Sequence, residues 1–354
     1  MSRRSTNLLK YALSALHYSG ADSLIAPLTR GVGVIFMLHH VHPDAPAAFA
    51  PNRILKITPD FLERTINYVR ESGFDIVSLD ELHFRLTEGD FERPFAAFTF
   101  DDGYRDNLQH AYPVFKRHQL PFTIYVPTDF ADGTGDLWWL ALEHVIAHVD
   151  QLSLVMNGER RTLSCRDPDE KNAAFHRVYW WLRSIDERTA RRQVAEMCRS
   201  IGFDARKLAA DQLMGWDELR ILAADPLVTI GGHTRSHFAL AKLPLAEARL
   251  EMESNIRRLE HELERPCRHF SYPYGCALSA DAREFELARE LGLKTAVTTR
   301  KGLLHARHTD QLTALPRFSL NGDFQDERYL RVLLNGAPFA MLDAVQRTRQ
   351  LARL

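Results

Sequence analysis

Short apolar runs recur along the chain, and stretches with helical spacing separate them. Residues 32–38, 95–100 and 122–126 are continuous apolar or β-rich runs, the first preceded by glycine. Weaker strand signals fall at 75–79, 228–230, 270–272 and 295–298. Between them, Phe61, Leu62, Ile66 and Val69 mark one face of a helix over 59–71, and residues 106–118, 245–263 and 282–291 also read as helices. Alternation of strand and helix predicts an α/β chain with a parallel sheet, closed or wound, and helices outside. Barrels of this kind house their chemistry just beyond the C-terminal ends of the strands.

Two regions depart from the alternation. Residues 131–214 are richer in charge and tryptophan than in strand signal, and 170–201 reads as helical, so the segment is expected to be a helical insertion between two barrel strands. Its pairs Trp138-Trp139 and Trp180-Trp181 are suited to lining a sugar-binding cleft or to packing the insertion onto the barrel. At the other departure, residues 1–30, Leu9, Ala12, Leu13 and Leu16 share a helical face beside Arg3, Arg4 and Lys10. That pattern predicts a helix packed on the domain surface, with a helix resting on a membrane surface as the alternative. The stretch is too short and too broken to read as a signal peptide, and no run is long enough to span a bilayer. The expected organisation is thus a leading amphipathic segment (1–30), a barrel (31–335) and a C-terminal helix (336–354).

With 354 residues and 45% hydrophobic content the chain can bury a large core. Its net charge of -1, with no basic stripe, gives nucleic acid binding no electrostatic support. Cys165, Cys198, Cys267 and Cys276 lack paired zinc-ligand spacing and read as free thiols.

Three motifs come directly after predicted strands: Thr99-Phe100-Asp101-Asp102-Gly103, His233-Thr234-Arg235-Ser236-His237, and Tyr272-Pro273-Tyr274-Gly275. Adjacent aspartates can divide labour, one as a base and one as a metal ligand. A His-x-x-x-His pair can bring two imidazoles to the same ion. Asp102, His233 and His237 together would form a three-ligand catalytic site with room for water. Each motif alone is common; their combination after successive strands is what points to a site.

The set resembles the polysaccharide deacetylases of the NodB-homology family, over roughly residues 31–322. Phe36 to Val41 is similar to the first-strand signature of one branch, and Met214 to Leu219 to the helix that leads into the histidine motif. The resemblance implies a deformed (β/α)7-type barrel and metal-dependent removal of an N-acetyl group from a carbohydrate. It implies Asp102, His233 and His237 as metal ligands and Asp101 as the base that activates metal-bound water. Zn²⁺ is the expected ion, with Co²⁺, Ni²⁺ or Fe²⁺ also compatible. The backbone N–H of Tyr274 would help hold the oxyanion. An amine leaves poorly unless protonated. His39, at the end of the first strand, is the expected acid, and His305 in Leu303-Leu304-His305 is the alternative. Arg317 is expected to pair with Asp101, with Arg268 as the second candidate, because Ser271-Tyr272 stands where many members carry arginine and proline. Asp106 and Asn107 are read as helix caps.

Two other readings compete: the same site acting on a non-sugar amide or cyclic imide, and an inactive glycan-binding scaffold. The expected substrate is an N-acetylhexosamine in a polysaccharide, oligosaccharide or lipid-linked glycan. The expected location is the cytoplasm, with peripheral contact at the inner membrane face through the leading helix.

Overall fold

In the computed structural model, which describes residues 3–341, eight parallel strands form one sheet, and pairing of the first long strand with the second closes seven of them into a barrel. The seven are β1 (Gly33–Leu38), β2 (Phe95–Phe100), β3 (Phe122–Val126), β4 (Val228–Gly232), β5 (His269–Ser271), β6 (Thr295–Lys301) and β7 (Leu315–Ser319). The chain runs around the barrel from β2 through β6 to β7, which returns to β1. Outside the closure, Asp75–Ile76 pairs with Phe95 and Ala96. This strand is shorter than the span 75–79 predicts, because Ser78 caps a helix that already starts at Leu79.

Alternate residues of the strands serve different layers. Phe36, Phe98, Phe100, Phe122 and Ile124 point outward and join Leu62, Ile66 and Val69 of the helix Pro59–Glu71 in the largest hydrophobic cluster. Each such buried aromatic or branched side chain contributes about 1.5–3 kcal/mol. The opposite faces of β1, β2, β3 and β6 gather Ile35, Ala97, Tyr125 and Val297 in a separate cluster. Ala97 and Gly231 keep this layer thin enough for larger neighbours. A Cβ on Gly231 would stand 2.6 Å from the Tyr125 ring.

Ahead of the barrel lie α1 (Arg3–Ser19) and α2 (Ala21–Thr29). Leu13 is the fully buried contact of α1, and α1 packs on α7 (Glu327–Leu334). Ala12, expected on the inner face, is exposed. Between β3 and β4, the region around 131–214 carries α3 (Trp138–Ala147), α4 (Pro168–Ser184), α5 (Glu187–Ser200) and a short helix at Ala205–Gln212. These pack around a hydrophobic cluster of their own that includes Leu142, Val145, Val178 and Val194. The region is not wholly helical. Gln151–Met156 and Glu159–Ser164 form an antiparallel hairpin, turned by Asn157 and Gly158, both with left-handed φ. Asn-Gly between alternating residues is a strong hairpin signal, and Leu152 and Leu154 are the buried positions of that alternation. The long helix α6 (Leu245–Leu263) covers β4. Helix resumes at 337–341, and the remainder of the expected C-terminal helix, 342–354, lies outside the described residues.

Candidate active site

Strand register places the motifs side by side. Leu38 is level with Phe100, so the next residues, His39 and Asp101, leave adjacent strands at the same rim. Gly232 is level with Phe270, which sets His233 beside Ser271. Here the His233 Nδ1–H donates to the Ser271 carbonyl at 2.6 Å. That bond fixes the tautomer and leaves the Nε2 lone pair facing inward. Its Nε2 lies 3.3 Å from Asp102 Oδ1, and the Nε2 of His237 lies 3.2 Å from the same oxygen. All three residues are buried, and their ligand atoms lie within 4.8 Å of one another. Asp102 Oδ1 is buried without a hydrogen-bond donor. A buried carboxylate oxygen and two imidazole nitrogens converging without donors fit a divalent cation better than a packed core. The cluster could therefore hold a metal ion.

Burial pushes the Asp102 carboxyl up, but His237 and His233 outweigh it and hold it well below the usual carboxylate range. Burial lowers His237 to about 4, which keeps its imidazole neutral, as a ligand must be.

Asp101 faces a different partner. Arg317, on β7, donates through Nη1 to Oδ1 at 2.8 Å and through Nη2 to Oδ2 at 2.7 Å. Its remaining donors go to the Thr298 carbonyl, Thr99 Oγ1 and Ser271 Oγ, so all five guanidinium N–H groups are used. Burial raises the Asp101 carboxyl, while the charge and hydrogen bonds of Arg317 pull it down; the net position is below the usual value. Arg317 is thus a buried residue and not a surface one. Arg268 does not reach Asp101: it lies 3.6 Å from Asp80, beside the start of β5.

His39 Nε2 stands 3.9 Å from Asp101 Oδ2. Burial lowers its pKa, against the opposing pull of Asp102 and Asp101. His305 lies at the opposite end of the barrel, where Leu304 bridges to Gly33 at the start of β1. His40, a neighbour of His39, is buried and stacked 3.6 Å over Tyr104, with its Nδ1 2.7 Å from Asp106 Oδ2. Asp106 makes no capping bond; its carboxylate serves His40 and Asn107, and Asn107 donates to the His39 carbonyl at 2.7 Å. Capping therefore gives way to holding His39 and His40.

Four of the non-glycine residues with left-handed φ sit here: Asp102 (74°), Thr234 (61°), His237 (57°) and Tyr274 (61°). Such conformations cost about 1–3 kcal/mol each and persist where surrounding bonds fix them. Asn255, on α6, accepts from the His233 N–H at 3.0 Å and donates to the Val126 carbonyl at 3.0 Å. One turn earlier, the Glu251 carboxylate accepts from the Ser236 N–H at 2.8 Å. At the third motif, Gly275 approaches β6 so closely that a Cβ would stand 2.5 Å from the Thr299 nitrogen. Neither Asn255 nor Glu251 carries a motif of its own; each falls on the buried face of an otherwise ordinary amphipathic helix.

A cleft of about 290 Å³ opens over these groups and is lined by His39, Asp101, Asp102, His233, His237 and Tyr274. Its outer wall comes from residues 51–55 and from α4, with Tyr179 and a largely exposed Trp180. The two tryptophan pairs divide. Trp139 lines the cleft and donates to Tyr104, while Trp138 is buried and donates to the Tyr274 hydroxyl at 2.9 Å. Trp181 turns away to Asn157.

The sequence profile of the polysaccharide deacetylases matches residues 88–296, from before the aspartate motif to beyond the third motif. The chain belongs to the polysaccharide deacetylase family. YxkH of Bacillus subtilis (strain 168) is 31% identical over 75 residues, which is 20% of this chain and 26% of that protein. The chain thus spans about a quarter of the length of the curated relative it matches. Among solved structures, the deacetylase PplD of Streptococcus pyogenes, in complex with acetate, shares 16% identity at a TM-score of 0.57, covering 84% of this chain and 96% of that one. IcaB from Ammonifex degensii shares 17% at a TM-score of 0.54, covering 85% and 96%. At these identities the likeness establishes the shared barrel.

Proposed function

We propose that this member of the family hydrolyses the N-acetyl group of an N-acetylhexosamine in a polysaccharide, oligosaccharide or lipid-linked glycan, releasing acetate and a free amine. The observation that carries the reading is the pairing of two unlike carboxylates at one rim. Asp101 is kept ionised by Arg317, and Asp102 is turned to two imidazoles. This is the division of labour that amide hydrolysis needs.

In this reading Asp102, His233 and His237 hold a divalent cation, Zn²⁺ first. Such an ion polarises the amide carbonyl and lowers the pKa of water toward neutrality. Asp101 takes a proton from the attacking water on a carboxylate oxygen, since each oxygen keeps a lone pair beyond its bond to Arg317. His39 Nε2 gives a proton to the nitrogen of the departing amine. The Tyr274 N–H donates to the oxyanion. Trp180 offers a ring face to the sugar at the cleft wall.

Acetate release from N-acetylglucosamine oligomers and from a lipid-linked N-acetylhexosamine tests the proposal, with chelated, metal-restored and Asp101→Asn protein compared. Metal-dependent release that Asp101→Asn abolishes is the expected result. Bound metal without acetate release from either glycan would overturn the substrate assignment.

A further inference from the structure

The inner face of α1 is covered by α7, but its outer face is apolar and uncovered. Leu8, Tyr11 and Tyr18 fall on one side of α1, and α2, joined through Gly20 in a left-handed turn, adds Leu24 and Leu28 one turn apart. These five side chains are 71–89% exposed. Scattered exposed leucines need no explanation, but several on two consecutive helices mark a surface that meets something apolar. The tyrosines add rings with a polar tip, suited to a boundary between water and hydrocarbon.

Charge indicates what covers it. Residues 3–30 carry Arg3, Arg4, Lys10 and Arg30 against a single acid, in a chain whose net charge is -1. That acid, Asp22, is fully buried and accepts from Asn335 at 2.7 Å. The helical pair therefore shows no carboxylate to solvent. Beside Leu28 a hollow of about 510 Å³ adds Lys301 and Arg307. Exposed apolar side chains on two helices whose sequence carries four cations, and whose one acid is buried, suit the headgroup region of an anionic bilayer, where the leucines enter the acyl boundary and cations meet lipid phosphate.

We propose that α1 and α2 dock the protein on an anionic phospholipid surface. No helix among the described residues is long and apolar enough to cross a membrane, so the contact is peripheral. Thr6, in the first turns of α1, lines a hollow of about 300 Å³ whose walls include Pro51, Ile54 and His176. The same three residues line the active-site cleft. The N-terminal end of α1 thus lies beside the cleft mouth, so a protein docked through these helices holds its cleft near the surface that carries an anchored glycan. This inference does not depend on the chemistry proposed for the site.

Flotation of the full chain with vesicles of phosphatidylglycerol and phosphatidylcholine, against phosphatidylcholine alone, tests it. The chain is expected to float with the anionic vesicles and to be released by salt. Leu24→Ser combined with Leu28→Ser should abolish flotation without moving the unfolding temperature, because both side chains are already in water. Lys10→Gln should weaken binding about fivefold, from a contribution of about 1 kcal/mol per cation at such a surface. Equal flotation of the parent and the double serine variant would overturn the assignment. So would a chain that ignores both vesicles and forms a dimer that the serine variant dissociates, since the face would then belong to a second copy.

Discussion

Arg317, on the strand one removed from that of Asp101, grips its carboxylate with two parallel hydrogen bonds of 2.8 and 2.7 Å, and Ser271 takes a further donor of the same guanidinium. The arginine comes from β7 and the serine from β5, so the small side chain at 271 leaves space for a charge supplied by another strand. Removing one member of such a pair strands the other as a buried charge. Arg317→Ala should cost about 3–5 kcal/mol of stability and abolish acetate release. Arg317→Lys restores the charge but not the fork, and should regain part of the unfolding temperature with little of the rate. Thermal unfolding and acetate release on both variants check this. Full activity in Arg317→Lys would show that the bidentate geometry is dispensable.

Asp101 and Asp102 are neighbours in sequence with separate predicted losses. Asp101→Asn should lower kcat by roughly 10²–10⁴ and leave metal content unchanged. Asp102→Ala, His233→Ala and His237→Ala should each lower metal content together with activity. Chelation of the parent should remove activity, and Zn²⁺ should return it. Metal analysis of the dialysed proteins separates the two groups, and an Asp101→Asn protein without metal would contradict the assignment.

Asn255 is predicted to be a positioning residue. It holds the His233 N–H and ties α6 to the end of β3. Asn255→Ala leaves a buried N–H and a buried carbonyl unpaired, a loss of about 1–3 kcal/mol for each group. Metal affinity should fall about 10–100-fold, as it does when the residues supporting a ligand are lost. Asn255→Asp keeps the acceptor for His233 and should recover affinity more than stability. Titration calorimetry with Zn²⁺ reads one effect and thermal unfolding the other.

The parts that were legible in the sequence share a physical basis. The apolar runs ending at Phe100 and Gly232 are barrel strands, and the residues next in the chain are forced to the rim, so Asp101, Asp102, His233 and His237 could be placed together from sequence alone. Arg317 could be named from its motif, but not its burial, because one arginine in a five-residue strand looks the same inside a barrel or outside it. His39 could be preferred to His305 from its place at the end of the first apolar run, whereas the position of His305 at the base of the barrel needed topology, because it too comes after apolar residues. Asn255 and Glu251 were invisible because a helix pattern shows which face is inward, not which polar residue on that face meets a loop. The Asn157-Gly158 hairpin was readable and was masked by the helical character of its surroundings.

Acid should expose a tie outside the site. Asp225, ahead of β4, accepts from Lys116 Nζ at 2.6 Å, from the Leu227 N–H and from the Tyr112 hydroxyl. These partners, Lys116 first, lower its pKa to about 2. A folded-state pKa below the unfolded value of about 3.9 stabilises the protein above that pH, and the gain fades as pH falls toward 2. Asp225→Asn should therefore unfold at a lower temperature than the parent at pH 6, and the gap should narrow by pH 3. A gap independent of pH would assign the effect to hydrogen bonding alone.

Trp180 is the last test, because it separates recognition from chemistry. The side chain is 63% exposed at the outer wall of the cleft, and α4 is anchored by the buried Ala174, Phe175, Val178 and Leu182 on its other face. Trp180→Ala should therefore leave the unfolding temperature unchanged. If the ring stacks on a sugar beyond the acetylated residue, its loss removes about 0.5–1.5 kcal/mol of binding, a rise in KM of about 2–10-fold. The rise should appear with oligomers, vanish with a monosaccharide, and leave kcat intact, since nothing at Asp101 or His39 has moved. A fall in kcat with KM unchanged would instead place Trp180 in the reacting geometry, and an unaltered KM on oligomers would remove it from substrate binding.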